Sequence, residues 1–331
     1  MLFRLWGASA AFCLLLAGSA AAQATNQDVE LCKSTDPDAS IAACTALIQS
    51  GQGGLNLDVV FYYRGDGYRA KGEYDRAIQD FDRAIQLNPN SASTFIDRGI
   101  AYKNKGQFDR AIADYDQAIK LQPDSAIAYT NRGLAYEKKE QYDRALQDYD
   151  KAINLDPGVA IIYDNRGNTY DEKGDHDRAI QDYNRALELS PSFDAAYYDR
   201  GIAYESKQQF ERAIADFDQA ITLNPSYASA YYRRAGVYAS LTQFERAIAD
   251  YSRAIMLDPN NSDAFYNRGR AYGNNGQFKL AAADFDHVYA LDPKDAQALY
   301  FRGYSRKQAG DLAGGEADMA QARLLDPNVP K

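Results

Sequence analysis

Between residues 74 and 85 apolar side chains return every three or four positions, at Tyr74, Ala77, Ile78, Phe81, Ala84 and Ile85, with polar and charged residues between them. This spacing gives a helix of 3.6 residues per turn one buried face. A second helix is predicted just before it, from about Val59 to Lys71, ended by Gly72, with the chain restarting near Tyr74. Asn88-Pro89 stops the return helix, because proline has no N–H for the next turn and clashes with the turn before it. The pattern is helix, tight turn, helix, stop.

That pattern recurs along the chain. Prolines stand at 89, 123, 157, 191, 225, 259, 293 and 327, each 34 residues after the last. Arg-Gly keeps the same step at 64, 98, 132, 166, 200, 268 and 302, with Arg234-Ala235 in the sixth unit. Eight units therefore run from Asp58 to Val329. Counting Asp58 as position 1, position 8 is small, 11 is Tyr, 20 is Ala, 24 is Phe or Tyr, 27 is Ala and 32 is Pro. The third unit shows all six as Gly133, Tyr136, Ala145, Tyr149, Ala152 and Pro157. Small residues at 8, 20 and 27 let two antiparallel helices approach, and the aromatic residues fill the space beside them.

On these residues the chain resembles a tetratricopeptide repeat array. The resemblance implies an all-α, right-handed superhelical solenoid of eight 34-residue helix-turn-helix repeats. Departures gather at the C-terminal end: Val288 at position 27 of the seventh unit, and Arg306, Gly315 and Met319 at positions 11, 20 and 24 of the eighth. A terminal repeat faces water and is commonly atypical. Leu324 or Leu325 is expected to stay exposed there, which would allow weak self-association. Upstream, Asp38 to Ser50 resembles the second helix of a partial unit and reads as an N-terminal helical cap.

The resemblance also implies a function. Similar arrays bind peptide segments of other proteins along a concave surface lined by the first helix of each unit, through positions 2, 5, 6, 9, 12 and 13. Position 5 carries Tyr62, Tyr198, Tyr232, Tyr266 and Tyr300, a tyrosine ladder whose members either contact a ligand or pack between adjacent helices. Asn131, Asn165, Asn168 and Asn267 offer amides able to hold a peptide backbone. At the groove positions units three to five are acidic, with Glu137, Asp164, Asp171, Glu172, Asp199 and Glu205 against Lys138. Units six to eight carry Arg233, Arg270 and Lys307 against Asp263. The family's clamp for a C-terminal carboxylate needs Lys at position 5, and no unit has one there.

Composition narrows the partners. The chain has 331 residues, 46% of them hydrophobic, and 26 Tyr, which excludes a disordered tail. Net charge is −9 and the pI about 4.9, so nucleic acid is not an expected partner. The first residues read as a secretory signal peptide over 1–24. Arg4 precedes an apolar run from Leu5 to Ala17, and small residues allow cleavage after Ala22 or Ala24. The alternative is an uncleaved anchor, which would make the chain a membrane-tethered assembly chaperone, because Leu5 to Ala22 nearly spans a bilayer. Cleavage leaves Cys32 and Cys44, an even pair bound for an oxidising periplasm or envelope. A disulfide is expected between them, with two buried thiols as the alternative. The predicted organisation is signal peptide 1–24, cap 25–57, repeats 58–329 and tail 330–331.

Several features resemble chemistry without supplying it. Asp flanks the position-24 aromatic in Asp80-Phe81-Asp82 and in later units, yet an active site needs one constellation, and Asp at position 23 recurs in all eight units. Arg at position 7 also recurs in all eight. Positions 7 and 23 lie eight residues either side of the turn, so an antiparallel hairpin predicts a repeated Arg-Asp contact. Gly65-Asp66-Gly67 sits inside a helix, where a dinucleotide fingerprint cannot work. His176 and His287 have no partner at metal spacing. The expectation is therefore a non-catalytic scaffold with no cofactor, no metal and no small-molecule substrate.

Overall fold

The computed structural model describes residues 27–50 and 56–329. The predicted signal peptide 1–24 and tail 330–331 lie outside these residues, as do 51–55. Among the described residues the chain forms helices joined by short turns, with no strand. It divides into two compact units at Gly158/Val159.

The first unit holds a helix at Pro37–Ser50 and three helical pairs: Leu57–Ala70 with Tyr74–Leu87, Ala92–Asn104 with Phe108–Leu121, and Ala126–Glu137 with Tyr142–Leu155. The second holds five pairs: Ala160–Glu172 with His176–Leu189, Asp194–Ser206 with Phe210–Leu223, Ala228–Ser240 with Phe244–Leu257, Ser262–Asn274 with Phe278–Leu291, and Ala296–Gln308 with Leu312–Leu325. Within each unit every helix packs on the next in sequence, and the first helices of repeats one to three and of repeats four to seven also touch their neighbours.

Local chemistry sets the boundaries. Four first helices begin where a side chain accepts from an orphan backbone N–H: Ser91 from Thr94, Ser125 from Ala128, Asn261 from Ala264, and Asp295 from Ala298. Second helices end with the N–H of position 31 donating to the carbonyl of position 27, as Asn88 does to Ala84 at 2.8 Å, immediately before the proline. Between the paired helices lie the small and aromatic positions. Ala111, Tyr115 and Ala118 are fully buried, and a Cβ on Gly99 would meet the Tyr115 ring at 2.5 Å. Position 8 is small because the aromatic ring lies against its backbone. In the eighth repeat two glycines face each other: a Cβ on Gly303 would meet the Gly315 carbonyl at 2.7 Å. Its atypical residues thus bring two backbones together where other repeats interpose a ring.

The predicted Arg-Asp contact forms in all eight repeats. Arg64, Arg98, Arg132, Arg166, Arg200, Arg234, Arg268 and Arg302 donate through Nε and Nη2 to both carboxylate oxygens of the Asp sixteen residues on, at 2.6 to 2.8 Å. Such bidentate pairs are the strong form of ion pair. The third guanidinium nitrogen reaches back to position 25 of the preceding repeat: Arg98 to Asp82, Arg132 to Asp116, Arg200 to Asn184, Arg268 to Ser252 and Arg302 to Asp286. Each such arginine fastens its own hairpin and the hairpin before it.

At the N-terminal end, Ala43, Cys44 and Leu47 of Pro37–Ser50 bury against Val60 and Tyr63. The Cys32 and Cys44 sulfurs stand at disulfide distance, 2.02 Å. Ser40 Oγ donates to the Cys32 carbonyl at 2.7 Å, so the segment before the helix is also held by a hydrogen bond. At the other end Leu324 and Leu325 are exposed, as their positions predict.

Candidate functional site

The position-5 tyrosines rest on the position-24 aromatic residue of their own repeat. Ring centroids are 6.1 Å apart for Tyr62 and Phe81, 5.9 Å for Tyr198 and Phe217, 5.7 Å for Tyr232 and Tyr251, and 5.5 Å for Tyr266 and Phe285. All four position-5 rings are half-buried. Internal packing and an outward face therefore coexist in one side chain. Tyr300 does not join them. It is only 7% exposed, in a cluster with Leu299, Ala322 and Val329, and the neighbouring Phe301 instead stacks on Phe285 at 5.6 Å. Val329, beyond the last helix, belongs to the same cluster.

The asparagines divide by what they already hold. Asn131 donates to the Ile127 carbonyl of its own helix and accepts from Lys103 Nζ at 3.2 Å. Asn168 accepts from Tyr183 Oη at 2.6 Å and is hydrogen-bonded to Asp199. Asn267 donates to Tyr232 Oη at 2.9 Å and to the Asp263 carbonyl at 3.0 Å. Asn165 is half-buried, and its side-chain amide makes no such bond among the described residues. Tyr62 donates to Asp97 Oδ2 at 2.8 Å, and burial raises its hydroxyl above the ordinary tyrosine range. Of the histidines, His176 Nδ1 lies 2.6 Å from Asp171, while His287 stacks on Phe265.

Four predicted residues converge. Tyr232, Arg233, Asn267 and Arg270 line one cavity of about 380 Å³ on the first-helix face of repeats five to seven, together with Glu205 and Tyr251. Repeat six opens it by what it lacks. Position 9 is Gly236 and position 12 is Ala239, where repeat three carries Leu134 and Glu137 and repeat four carries Asn168 and Asp171. Arg233 Nη1 is 3.9 Å from Glu205 Oε2, beyond hydrogen-bond reach, and that oxygen is buried without a hydrogen-bond partner. Burial pushes the Glu205 carboxyl up, against the pull of Arg233. Arg270 is exposed and makes no ion pair among the described residues. A larger cavity of about 520 Å³ lies beside Arg234, Asp218 and Asp250, whose charges already pair with one another. Of these two cavities, the first presents charges and hydroxyls free to bind. Sequence reasoning missed Tyr251 and Gly236, although glycine at a groove position was a visible signal.

Models of tetratricopeptide repeats match residues 96–160 and 266–330, 65–106, 167–208 and 237–276, 195–227, and 148–181. The chain belongs to the tetratricopeptide repeat family. Tetratricopeptide repeat proteins are protein-interaction scaffolds, and the fold is generally non-catalytic. A search among curated proteins returns no match. Among solved structures the chain is similar to MamA, at 31% identity over 50% of this chain and 96% of that one, with a TM-score of 0.45. It is also similar to YrrB, described as a TPR protein with an unusual peptide-binding site, at 24% identity over 57% and 97%, TM-score 0.46. The C-terminal part of a TPR repeat-containing protein from Cytophaga hutchinsonii matches at 22% identity over 73% and 98%, TM-score 0.57, which speaks to the fold alone.

Proposed function

We propose that this tetratricopeptide repeat protein is a non-catalytic scaffold that binds an extended segment of another protein across the first helices of repeats five to seven, and that it works in the periplasm or cell envelope. The cavity formed by Tyr232, Arg233, Asn267 and Arg270 carries the binding reading, because it gathers unpaired charge and aromatic surface on the face that such arrays use. The leader-like residues 1–24 and the paired cysteines support the location.

Selection of displayed peptides against the mature chain tests the binding. The expected result is a set of enriched segments that lose affinity for a Tyr232→Ala, Tyr266→Ala, Arg270→Ala variant of unchanged helicity. No enrichment would refute peptide binding, and equal binding by both proteins would refute this location. N-terminal sequencing of the exported protein tests the compartment: a start at Gln23 or Thr25 is expected, whereas retention of Met1 would favour the membrane-tethered assembly chaperone.

A further inference from the structure

In repeats one to seven position 24 is an aromatic ring against the backbone of its repeat, and where it is tyrosine its hydroxyl needs a partner at the first-helix surface. Repeats three and four supply one from their own first helix. Tyr149 Oη donates to Glu137 at position 12, at 3.3 Å, and Tyr183 Oη donates to Asn168 at position 9, at 2.6 Å. In repeat six those two positions are Ala239 and Gly236, which have nothing to accept with. Tyr251 is only 4% exposed, yet it lines the cavity and its hydroxyl has no partner among the described residues. Its nearest approach to position 9 is 3.8 Å from where a Cβ on Gly236 would stand. Tyr115 also lacks a partner, but it is fully buried.

The other groups around the cavity share this deficit. Tyr232 Oη accepts from Asn267, which leaves its own proton without an acceptor. Arg270 is unpaired, and Arg233 meets Glu205 only at 3.9 Å. Two hydroxyl donors and two guanidinium groups therefore surround a space that lacks the acceptor found at position 12 of repeat three and position 9 of repeat four. One group of opposite demand is present, the buried and unpartnered Oε2 of Glu205, which calls for an N–H.

We propose that the cavity of repeat six takes an acidic side chain, Glu or Asp, of the bound segment, its carboxylate accepting from Tyr251, Tyr232 and Arg270 while a backbone N–H of the same segment donates to Glu205. The inference rests on the peptide-binding reading above and assigns its anchor. The carboxylate occupies the place that the position-9 or position-12 side chain fills in repeats three and four. Arg270 and Arg233 set the sign of the charge, and the neutral amide of Gln does not meet that demand.

Three pools of decapeptides, acetylated and amidated at their ends and random except for a central Glu, Gln or Lys, test this by fluorescence anisotropy on the full mature chain. The Glu pool is expected to bind about tenfold or more tighter than the Gln pool, with Lys weaker still. Tyr251→Phe removes one hydroxyl and nothing else, and should cut the Glu preference several-fold. Gly236→Leu places in the cavity the side chain that Leu134 carries at the same position, and should abolish the preference with the melting temperature retained. Equal affinity for Glu and Gln pools, or a preference untouched by both variants, overturns the proposal while leaving peptide binding intact. A fourth pool with a free C-terminal carboxylate and no internal acid separates the sources: tighter binding of that pool than of the capped Glu pool would assign the cavity to a chain end and overturn the side-chain assignment. Failure of every pool to bind would sink peptide binding itself, and this inference with it.

Discussion

At position 15 each repeat turns through positive φ. Five repeats place glycine there, with Gly72, Gly106, Gly174, Gly276 and Gly310 between 72° and 101°, but Glu140, Gln208 and Thr242 adopt 56° to 58° without glycine's freedom. Thr242 is the most costly of the three, because a β-branched side chain in the left-handed region crowds its own backbone. Thr242→Gly should stabilise the chain by about 1 kcal/mol, the relief of strain exceeding the unfolded-state entropy that glycine adds. The same exchange at Thr222, inside the helix Phe210–Leu223, should instead lose a few tenths of a kcal/mol. Thermal melts of the two variants check the signs, and a loss at Thr242 would refute the strain. A second residue-scale prediction concerns Asp199. Burial lifts its carboxyl to about 6, with a hydrogen bond from Asn168 opposing the rise and Asp171 adding to it. The folded value lies above the unfolded one, so between roughly pH 4 and 6 the native state holds the extra proton. This group's contribution to stability is present at low pH and is lost as pH rises through 6. Carbon NMR of the carboxyl should show a midpoint near 6 that moves higher in Asn168→Ala; a midpoint at 4 would contradict it, and Asp199→Asn should remove that limb of the stability profile.

Between elements, one guanidinium tests two kinds of contact at once. Hydrogen bonds to Asp148, against the opposing cost of burial, hold Arg132 above the ordinary arginine value. The Asp148 side chain is 6% exposed, whereas the Asp116 carboxylate on the preceding repeat is 53% exposed. Breaking the buried partner strands a charge between two helices, so Asp148→Ala should cost about 3 kcal/mol. Asp116→Ala removes a solvated partner and should cost less than about 1 kcal/mol. Chemical denaturation ranks them, and equal losses would show that burial does not decide. The within-repeat pair was legible in the sequence, because positions 7 and 23 are symmetric about a single turn and hairpin geometry alone brings them together. The contact to position 25 was not, since it depends on the rotation from one repeat to the next, which a periodic pattern does not encode. The site divides the same way. The ladder positions Tyr62, Tyr198, Tyr232 and Tyr266 followed from register, but Tyr300 is buried in a cluster with Leu299, Ala322 and Val329 that no repeat position encodes. The cavity was hidden because it is made by the absence of side chains at Gly236 and Ala239 and by a core ring, Tyr251, that this absence uncovers.

At the scale of the molecule, a repeat array has no central core to hold its ends, and each hairpin is stabilised by its neighbours alone. The N-terminal end therefore depends on what covers the first helix of repeat one. That cover is the Pro37–Ser50 helix, which buries Ala43, Cys44 and Leu47 against Val60. A helix of 14 residues is marginal by itself in water, so its order comes from docking and from the link to Cys32. A bridge between Cys32 and Cys44 closes a loop of 12 residues and removes about 3 kcal/mol of unfolded-state freedom in the chain-entropy account. Because coupling runs only between neighbours, the loss on breaking it should be local. Intact mass of the exported protein should show two hydrogens fewer than the thiol form. After reduction, or in a Cys32→Ser, Cys44→Ser variant, amide exchange should accelerate in Pro37–Ser50 and the first helix of repeat one, while amides around Tyr238 and Tyr251 keep their protection. Slow exchange retained throughout the cap would show that packing holds that end without the bridge. Acceleration reaching Tyr251 would show that the array unfolds as one cooperative body, and a cap variant would then weaken peptide binding at repeat six without touching a residue of its cavity.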